Sequence, residues 1–262
     1  MSNSPALEKQ NYFYGQGKVW LSKRDPLTGK PTGYRWIGDV SALNLTLSAE
    51  YITHTESYTG QRLTAIRFAG SKDGTLASTW HNHSPENMAV LFYGENVITP
   101  SGSVSDELMP TTISAGSMIA LANPNVSDVI LSPVDGTGEP LNEGEDYYVR
   151  EAYGEIEFLK DITTALSAAY SHSRNINIPM FTKFNEHYSL RYSGINLADN
   201  GSPVVVELYK ISVDPVQAKN LINTDTSVDG MEMSAGILMD EFRSIDEALG
   251  QFGRIQQVME SE

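Results

Sequence analysis

Cysteine is absent from the 262 residues, which removes disulfide frameworks, thiolate metal sites and cysteine nucleophiles together. Charge is sparse at 19% of residues, and the basic side chains are the scarcer, 18 against 33 acids. The resulting net charge of −15 argues against a nucleic-acid reader, which needs a basic patch to displace counterions from phosphates. It is compatible with a surface past which nucleic acid slides without adhering, and equally with simple solubility. No run approaches the ~20 apolar residues that span a bilayer. The segment MSNSPALEKQNYFYG has no basic stretch leading into an apolar core, so it does not read as a secretory signal. The expectation is a soluble protein made in the cytoplasm. Internal repeats and low-complexity runs are missing, as are the Gly-x-Ser-x-Gly elbow, the phosphate-binding Gly-x-x-x-x-Gly-Lys loop and the dinucleotide fingerprint. Five histidines and many carboxylates allow accidental acid–base pairs, but no spacing selects one. The reading therefore names no catalytic residue, no metal and no cofactor, and is not that of an enzyme.

What is present is 40% hydrophobic residues with 21 glycines and 12 prolines, a balance that leans towards strands and turns. Residues 17–24 (GKVWLSKR) read as a first strand and residues 25–31 as a turn-rich loop. Residues 34–48 follow as a strand in which Leu43, Leu45 and Leu47 alternate with Asn44, Thr46 and Ser48, the half-buried pattern. Residues 51–62 (YITHTESYTGQR) have no core face and read as a long exposed loop. Strands over 63–69 and 75–83 flank Asp73-Gly74, a hairpin signal. Ser84 as cap, Pro85 at the first position and Glu86 near the positive dipole end predict a short helix carrying Met88, Leu91 and Phe92 and stopping at Gly94.

Residues 99–178 read as an inserted β-rich module, between a first core part (1–98) and a second (179–240). Its entrance, residues 100–117, is rich in Ser, Thr, Gly and Pro, and short strands are predicted over 128–131, 146–150, 154–159 and 166–172. Beyond it, Tyr188, Leu190 and Tyr192 alternate, and residues 204–213 form a long β-branched strand. Asp214 and Pro215 mark a second capped helix carrying residues 216–222. A final strand over 227–238 puts Met231, Met233, Ala235 and Ile237 on one face. Residues 241–262 form an amphipathic extension, with Phe242, Ile245, Leu249, Phe252, Ile255 and Val258 at helical spacing, weakened by Gly250 and Gly253.

Three features could carry chemistry, each with a plainer alternative. His81 and His83 share a strand face as metal pairs do, but further ligands are not evident, so an interface or partly buried pair is expected. Glu143, Glu145 and Asp146 lack the spacing of a calcium loop and read as a solvated turn. Trp20, Trp36 and Trp80 could mark a carbohydrate-binding sandwich, but fall inside alternating strands, where core packing is expected.

Gly15-Gln16-Gly17-Lys18-Val19, Tyr34-Arg35-Trp36-Ile37-Gly38-Asp39-Val40, residues 43–50, 54–62 (HTESYTGQR) and 84–94 (SPENMAVLFYG), and residues 194–215 form one series of short words along the chain. Through them the chain resembles the major tail tube proteins of siphophages. Pieces of the inserted module, 121–126 (LANPNV) and Tyr148-Val149 with 154–158 (GEIEF), are similar to segments of such proteins. The resemblance covers about residues 15 to 240, and the extension beyond departs from it. It implies a mainly β fold: a β-sandwich or barrel core with one short flanking helix, plus the inserted module and the helical extension. Copies would join as hexameric rings and stack head to tail into a virion tail tube assembled in the host cytoplasm. The tube would enclose a tape measure protein during assembly, meet tail terminator and distal tail or baseplate proteins at its ends, and later conduct genomic DNA without specific binding. Residues 51–62 would reach the next ring, with Tyr51, His54, Glu56, Tyr58, Gln61 and Arg62 as contacts. Glu207 and Glu232 would be lumen acids. The alternatives are a related ring-forming virion protein (terminator or baseplate hub), a type VI secretion-type tube protein, or a carbohydrate-binding β-sandwich.

Overall fold

The structure, a computed structural model, describes residues 12–184, 186–223, 226, 228–244 and 249–258. The fold is mainly β, and it divides into two compact units, one made of residues 1–95 and 179–262 and the other of residues 96–178. In chain order the elements are β1 (Gly15–Lys23), β2 (Arg35–Trp36), β3 (Val40–Thr55), β4 (Thr64–Trp80), α1 (Pro85–Leu91), β5 (Val97–Thr99), β6 (Gly102–Leu108), β7 (Met118–Ala120) and β8 (Val126–Pro133). They continue with β9 (Tyr147–Arg150), β10 (Glu155–Phe158), β11 (Leu166–His172), β12 (Asn175–Asn177), β13 (His187–Asn196), β14 (Ser202–Val213), β15 (Met231–Ile237) and β16 (Gly253–Gln257).

The first unit is one antiparallel sheet of order β2-β1-β13-β14-β15-β4-β3. It forks at β14, whose Val204–Leu208 half pairs with β16 and whose Ile211–Val213 end pairs with β15. Period-two alternation fills its core: Val19 and Leu21 from β1, Tyr188 and Leu190 from β13, Met231, Met233, Ala235 and Ile237 from β15, and Trp80 at the end of β4. α1 closes this core with Leu91. Its start is built as its sequence predicts, with Ser84 Oγ accepting from Asn87 N. Asn87, fully buried, fixes the helix to the chain beside it. Its Nδ2 donates to the carbonyls of Ile37 (2.7 Å) and Asn82 (2.8 Å), and its Oδ1 accepts from Arg35 (2.6 Å). The stop comes one residue before the expected Gly94. Tyr93 takes the left-handed conformation at φ 54°, Gly94 N donates to Ala89 O and Tyr93 N to Val90 O. Tyr93 tolerates this because its hydroxyl is held by Val213 O at 2.7 Å.

The second unit packs the sheet β7-β10-β9 and the sheet β6-β11-β8 over its own core of Leu131, Tyr147, Ile156, Phe158, Leu166 and Ala168. The ribbon β5–β12 pairs the two ends of the segment. β6 arises in the Ser/Thr/Gly-rich stretch read as an entrance loop, where pairing with β11 outweighs composition.

Five expectations are corrected. Residues 51–55 belong to β3 and not to a loop, and Asp73-Gly74 lies within a continuous β4, paired with Ser48 and Leu47. The long pairing with β3 overrides the local turn signal. The strand expected over 34–48 breaks at Gly38, where φ is 95° and Asn82 occupies the space of a side chain. Among the described residues, 214–223 form no helix. Asp214 N bonds Ser234 O, its carboxylate accepts from Ser234 Oγ, and Val216 N is drawn to Leu91 O. Finally, the described residues of the C-terminal extension do not form an amphipathic helix. Residues 253–257 form β16, and Gly253 is required there because a Cβ would collide with Glu207 O. Phe252 packs on the core, Phe242 abuts Gly29, and Ile245 lies outside the described residues.

Candidate assembly surface

β3 and β4 run on together past the rest of the sheet as a two-stranded hairpin. At its base one face is inward, with Leu76 and Ser78 buried beside Leu43. The half-buried reading of Leu43, Leu45 and Leu47 holds only for the first: Leu47 is 70% exposed. The inner face opens to solvent there, so the alternation outlasts the core that explains it.

The opposite, outer face of β15-β4-β3 is set by the pairing register. Glu232, Thr79 and Ala42 form one row, Ser234, Ala77 and Asn44 the next, then Gly236, Thr75 and Thr46, and then Asp73 with Ser48. These side chains are exposed or half-buried, and none is basic. Ser71 Oγ donates to Glu50 at 2.9 Å just beyond. Past the register shift near Glu50 the same face turns apolar, presenting Ile52 opposite Phe68 and Ile66 opposite His54. Ile52, Ile66 and Phe68 are each a little over half exposed. On the other face Arg67 stacks over the Tyr51 ring at 3.8 Å.

The six residues expected to form a contact loop therefore divide. Tyr51 and His54 are strand residues on opposite faces of the hairpin. Glu56, Tyr58, Gln61 and Arg62 are at its tip. Glu56 is the tip's organiser, only 6% exposed. Its carboxylate accepts from Thr59 Oγ1, Thr59 N, Tyr58 N and Leu63 N. The Thr59 hydroxyl first, and then these amides, hold it well below the usual carboxylate range, at about 2. The carboxylate is shielded by its own loop and not sunk in the core. Tyr58 projects at 85% exposure, and Arg62 takes φ 55°.

The two acids assigned to a lumen sit in different settings. Glu232 is exposed on the outer face just described. Glu207 lies between Arg191 and Arg254, the latter at 2.6 Å, and its charge is already matched. That bond to Glu207 pushes the Arg254 guanidinium up. His81 Nδ1 and His83 Nε2 both lie on the carbonyl of Asp229, at 3.3 and 3.2 Å, and Lys219 donates to His83 Nδ1 at 2.7 Å. Among the described residues no group of three or more His, Cys, Asp or Glu could hold a metal. Asp146, in the acidic turn, accepts from Asn142 N and Lys160. Trp80 is fully buried, but Trp36 is half exposed under the Lys18 ammonium, so core packing is not general to the tryptophans.

Sequence reading missed the apolar tip set, Ile52, Leu63, Ile66 and Phe68. The signal was there: Ile66 and Phe68 alternate, and Ile52 is their opposite number once the pairing is known.

Fold and surface define a mainly β protein with an inserted β unit and an edge hairpin left uncovered among the described residues. The chain belongs to the family described as Protein of unknown function UCP028589, which matches residues 12–256. No curated protein matches the chain.

Proposed function

We propose that this protein is the repeating subunit of a long-tailed bacteriophage's tail tube, closing with copies of itself into rings, hexameric by resemblance, that stack around a channel for DNA. The observation that supports this reading best is the β3–β4 hairpin. A two-stranded ribbon is marginal in water by itself, and this one leaves Ile52, Leu63, Ile66 and Phe68 largely in solvent. β3 is also the terminal strand of its sheet, so its backbone groups are open along one edge among the described residues. Both needs are met when neighbouring copies supply strands and apolar cover, and a heterologous contact of this kind propagates.

The outer face of β15-β4-β3 suits the channel wall. Its acids, hydroxyls and small side chains offer phosphates no cation to bind, and Glu232 and Asp73 repel them. On this reading Glu232 is the stronger lumen acid, and the hairpin tip with Tyr58, Gln61 and Arg62 reaches the adjoining ring. The tape measure protein would fill the channel first, with terminator and distal tail or baseplate proteins at the ends. Localisation would be the virion.

Electron microscopy of the concentrated purified protein tests the proposal. Tubes with an axial channel are expected. Single closed rings would favour a terminator or hub, and monomers at every concentration would overturn the reading. Replacing Glu232 by Gln should leave assembly intact and slow DNA ejection.

A further inference from the structure

A cleft of about 410 Å³ lies on the side of β14 away from the hydrophobic core of the first unit. One wall is the loop after β1, shaped by Asp25, whose carboxylate accepts from Leu27 N and Thr28 N, and by Gly29 at φ 66°, where any side chain would strike Phe242. The other wall is formed by Asp240, Phe242 and Arg243, with Arg254 of β16. In a protein with 15 more acids than bases this cleft is the reverse: Arg24, Lys30, Arg243 and Arg254 line it, against Glu207 and Asp240.

These cations are not equally engaged. Arg24, nearly buried, is spent on Asp240 at 2.6 Å and on the Tyr209 carbonyl. Arg254 meets Glu207 through Nε at 2.6 Å, and Arg243 meets Asp240 through Nε at 3.4 Å while stacking on the Tyr209 ring at 3.5 Å. Both guanidinium groups thus keep their Nη donors free of hydrogen bonds among the described residues. Lys30 has no ion pair among them. Tyr209, 5% exposed, also borders the cleft, and its hydroxyl is buried with no hydrogen-bond partner there. A buried hydroxyl left unpaired is costly and asks for an explanation. Leftover guanidinium forks, an ammonium and an orphan hydroxyl share one complement, an oxyanion. Tyr34 lies at the same cleft, and its phenol is pushed up by burial and then by Glu207, so it stays a donor.

We propose that this cleft is an anion site, in which a carboxylate or phosphate group is held by the Nη groups of Arg243 and Arg254, by Lys30 and by the Tyr209 hydroxyl. The anion is either free in solution or a carboxylate side chain of a second copy of this chain. Only the second source rests on the self-assembly reading.

The test compares full-length wild type, Tyr209→Phe and Lys30→Gln, titrated with inorganic phosphate and with citrate against chloride at constant ionic strength. Tyr209→Phe removes only an atom that has no partner among the described residues, so its melting temperature without added anion should be unchanged or higher. If the anion is free, phosphate or citrate raises the wild-type Tm saturably, and each substitution weakens that binding about tenfold. If a second copy supplies the carboxylate, the Tm does not respond to either anion, yet both variants need about tenfold more protein to self-associate. Absence of both effects overturns the proposal. So does a Tyr209→Phe variant that melts well below wild type without ligand, since the hydroxyl would then have a structural partner.

Discussion

The inserted unit and the distal β3–β4 hairpin are built from the same strand-forming residues and treat them in opposite ways. In the inserted unit Tyr147, Ile156, Phe158 and Leu166 are 2% exposed or less, because two sheets face each other across them. In the hairpin Ile52, Leu63, Ile66 and Phe68 are 54–58% exposed, because the ribbon has no second layer among the described residues. At about 25 cal/mol per Å² of apolar surface removed from water, the first arrangement has collected its burial energy and the second has left it available. One region is complete within the chain, and on the proposed reading the other is completed by neighbouring copies.

The largest expected effect comes from cutting the contrast out. Replacing residues 51–69 by a two-residue Asn-Gly turn removes the exposed patch and none of the buried core. The shortened protein should melt within a few degrees of wild type, and sedimentation and microscopy should show that assembly is lost altogether. Assembly at the wild-type concentration would mean that the hairpin is merely a surface ornament. Residues 96–178, expressed alone, should fold cooperatively, having a core of their own.

A matched pair of substitutions sharpens the comparison with a smaller signal. Phe158→Ala empties a fully buried site and should cost about 3–5 kcal/mol in chemical denaturation. Phe68→Ala, the same change on the hairpin, should move the stability of the monomer by no more than about 0.5 kcal/mol. It should instead raise the protein concentration needed for assembly. Equal costs at both positions would show that Phe68 is already covered in the free subunit.

How much of this was legible beforehand follows the same division. Where a side chain's own chain covers it, alternation reads truly: Tyr188 and Leu190, and Met231, Met233, Ala235 and Ile237, all face the core as their spacing demands. Ser84, Pro85 and Glu86 mark α1 because a cap is decided within four residues. Local signals failed where a distant strand had the final word. Asp73-Gly74 is a turn pair only if its flanks fold back on each other, and both flanks instead pair with β3. Asp214 offers a cap, but its carboxylate is taken by Ser234. Phe242, Phe252 and Ile255 have helical spacing, yet Gly253 lets the chain lie flat on Glu207 and continue as a strand. For the hairpin surface, sequence located the segment and misjudged its form, since an apolar set on two strands shows as a set only once the register is fixed.

The smallest effect concerns the shape of the tip. Glu56 has an ordinary value of 4.5 and is held at about 2 when folded, so the folded tip favours the ionised form. A depressed carboxylate contributes stability that is fully present above the unfolded value and is lost as pH falls through the folded one. The tip should therefore be at full strength above about pH 4.5 and loosen progressively towards pH 2, through loss of the Tyr58, Thr59 and Leu63 bonds. Amide exchange at those three positions reads this directly, while the core amides of β13 and β14 serve as controls. Glu56→Gln keeps the shape and removes the titration, so it should exchange faster at neutral pH and lose this pH dependence. Global melting should barely change, because the carboxylate organises only its own loop. If the variant retains the full acid-dependent loosening, Glu56 is not the group that orders the tip, and its low exposure has another cause. If the tip loosens as expected but assembly of Glu56→Gln is unimpaired, the contrast with the inserted unit narrows to the apolar strands alone.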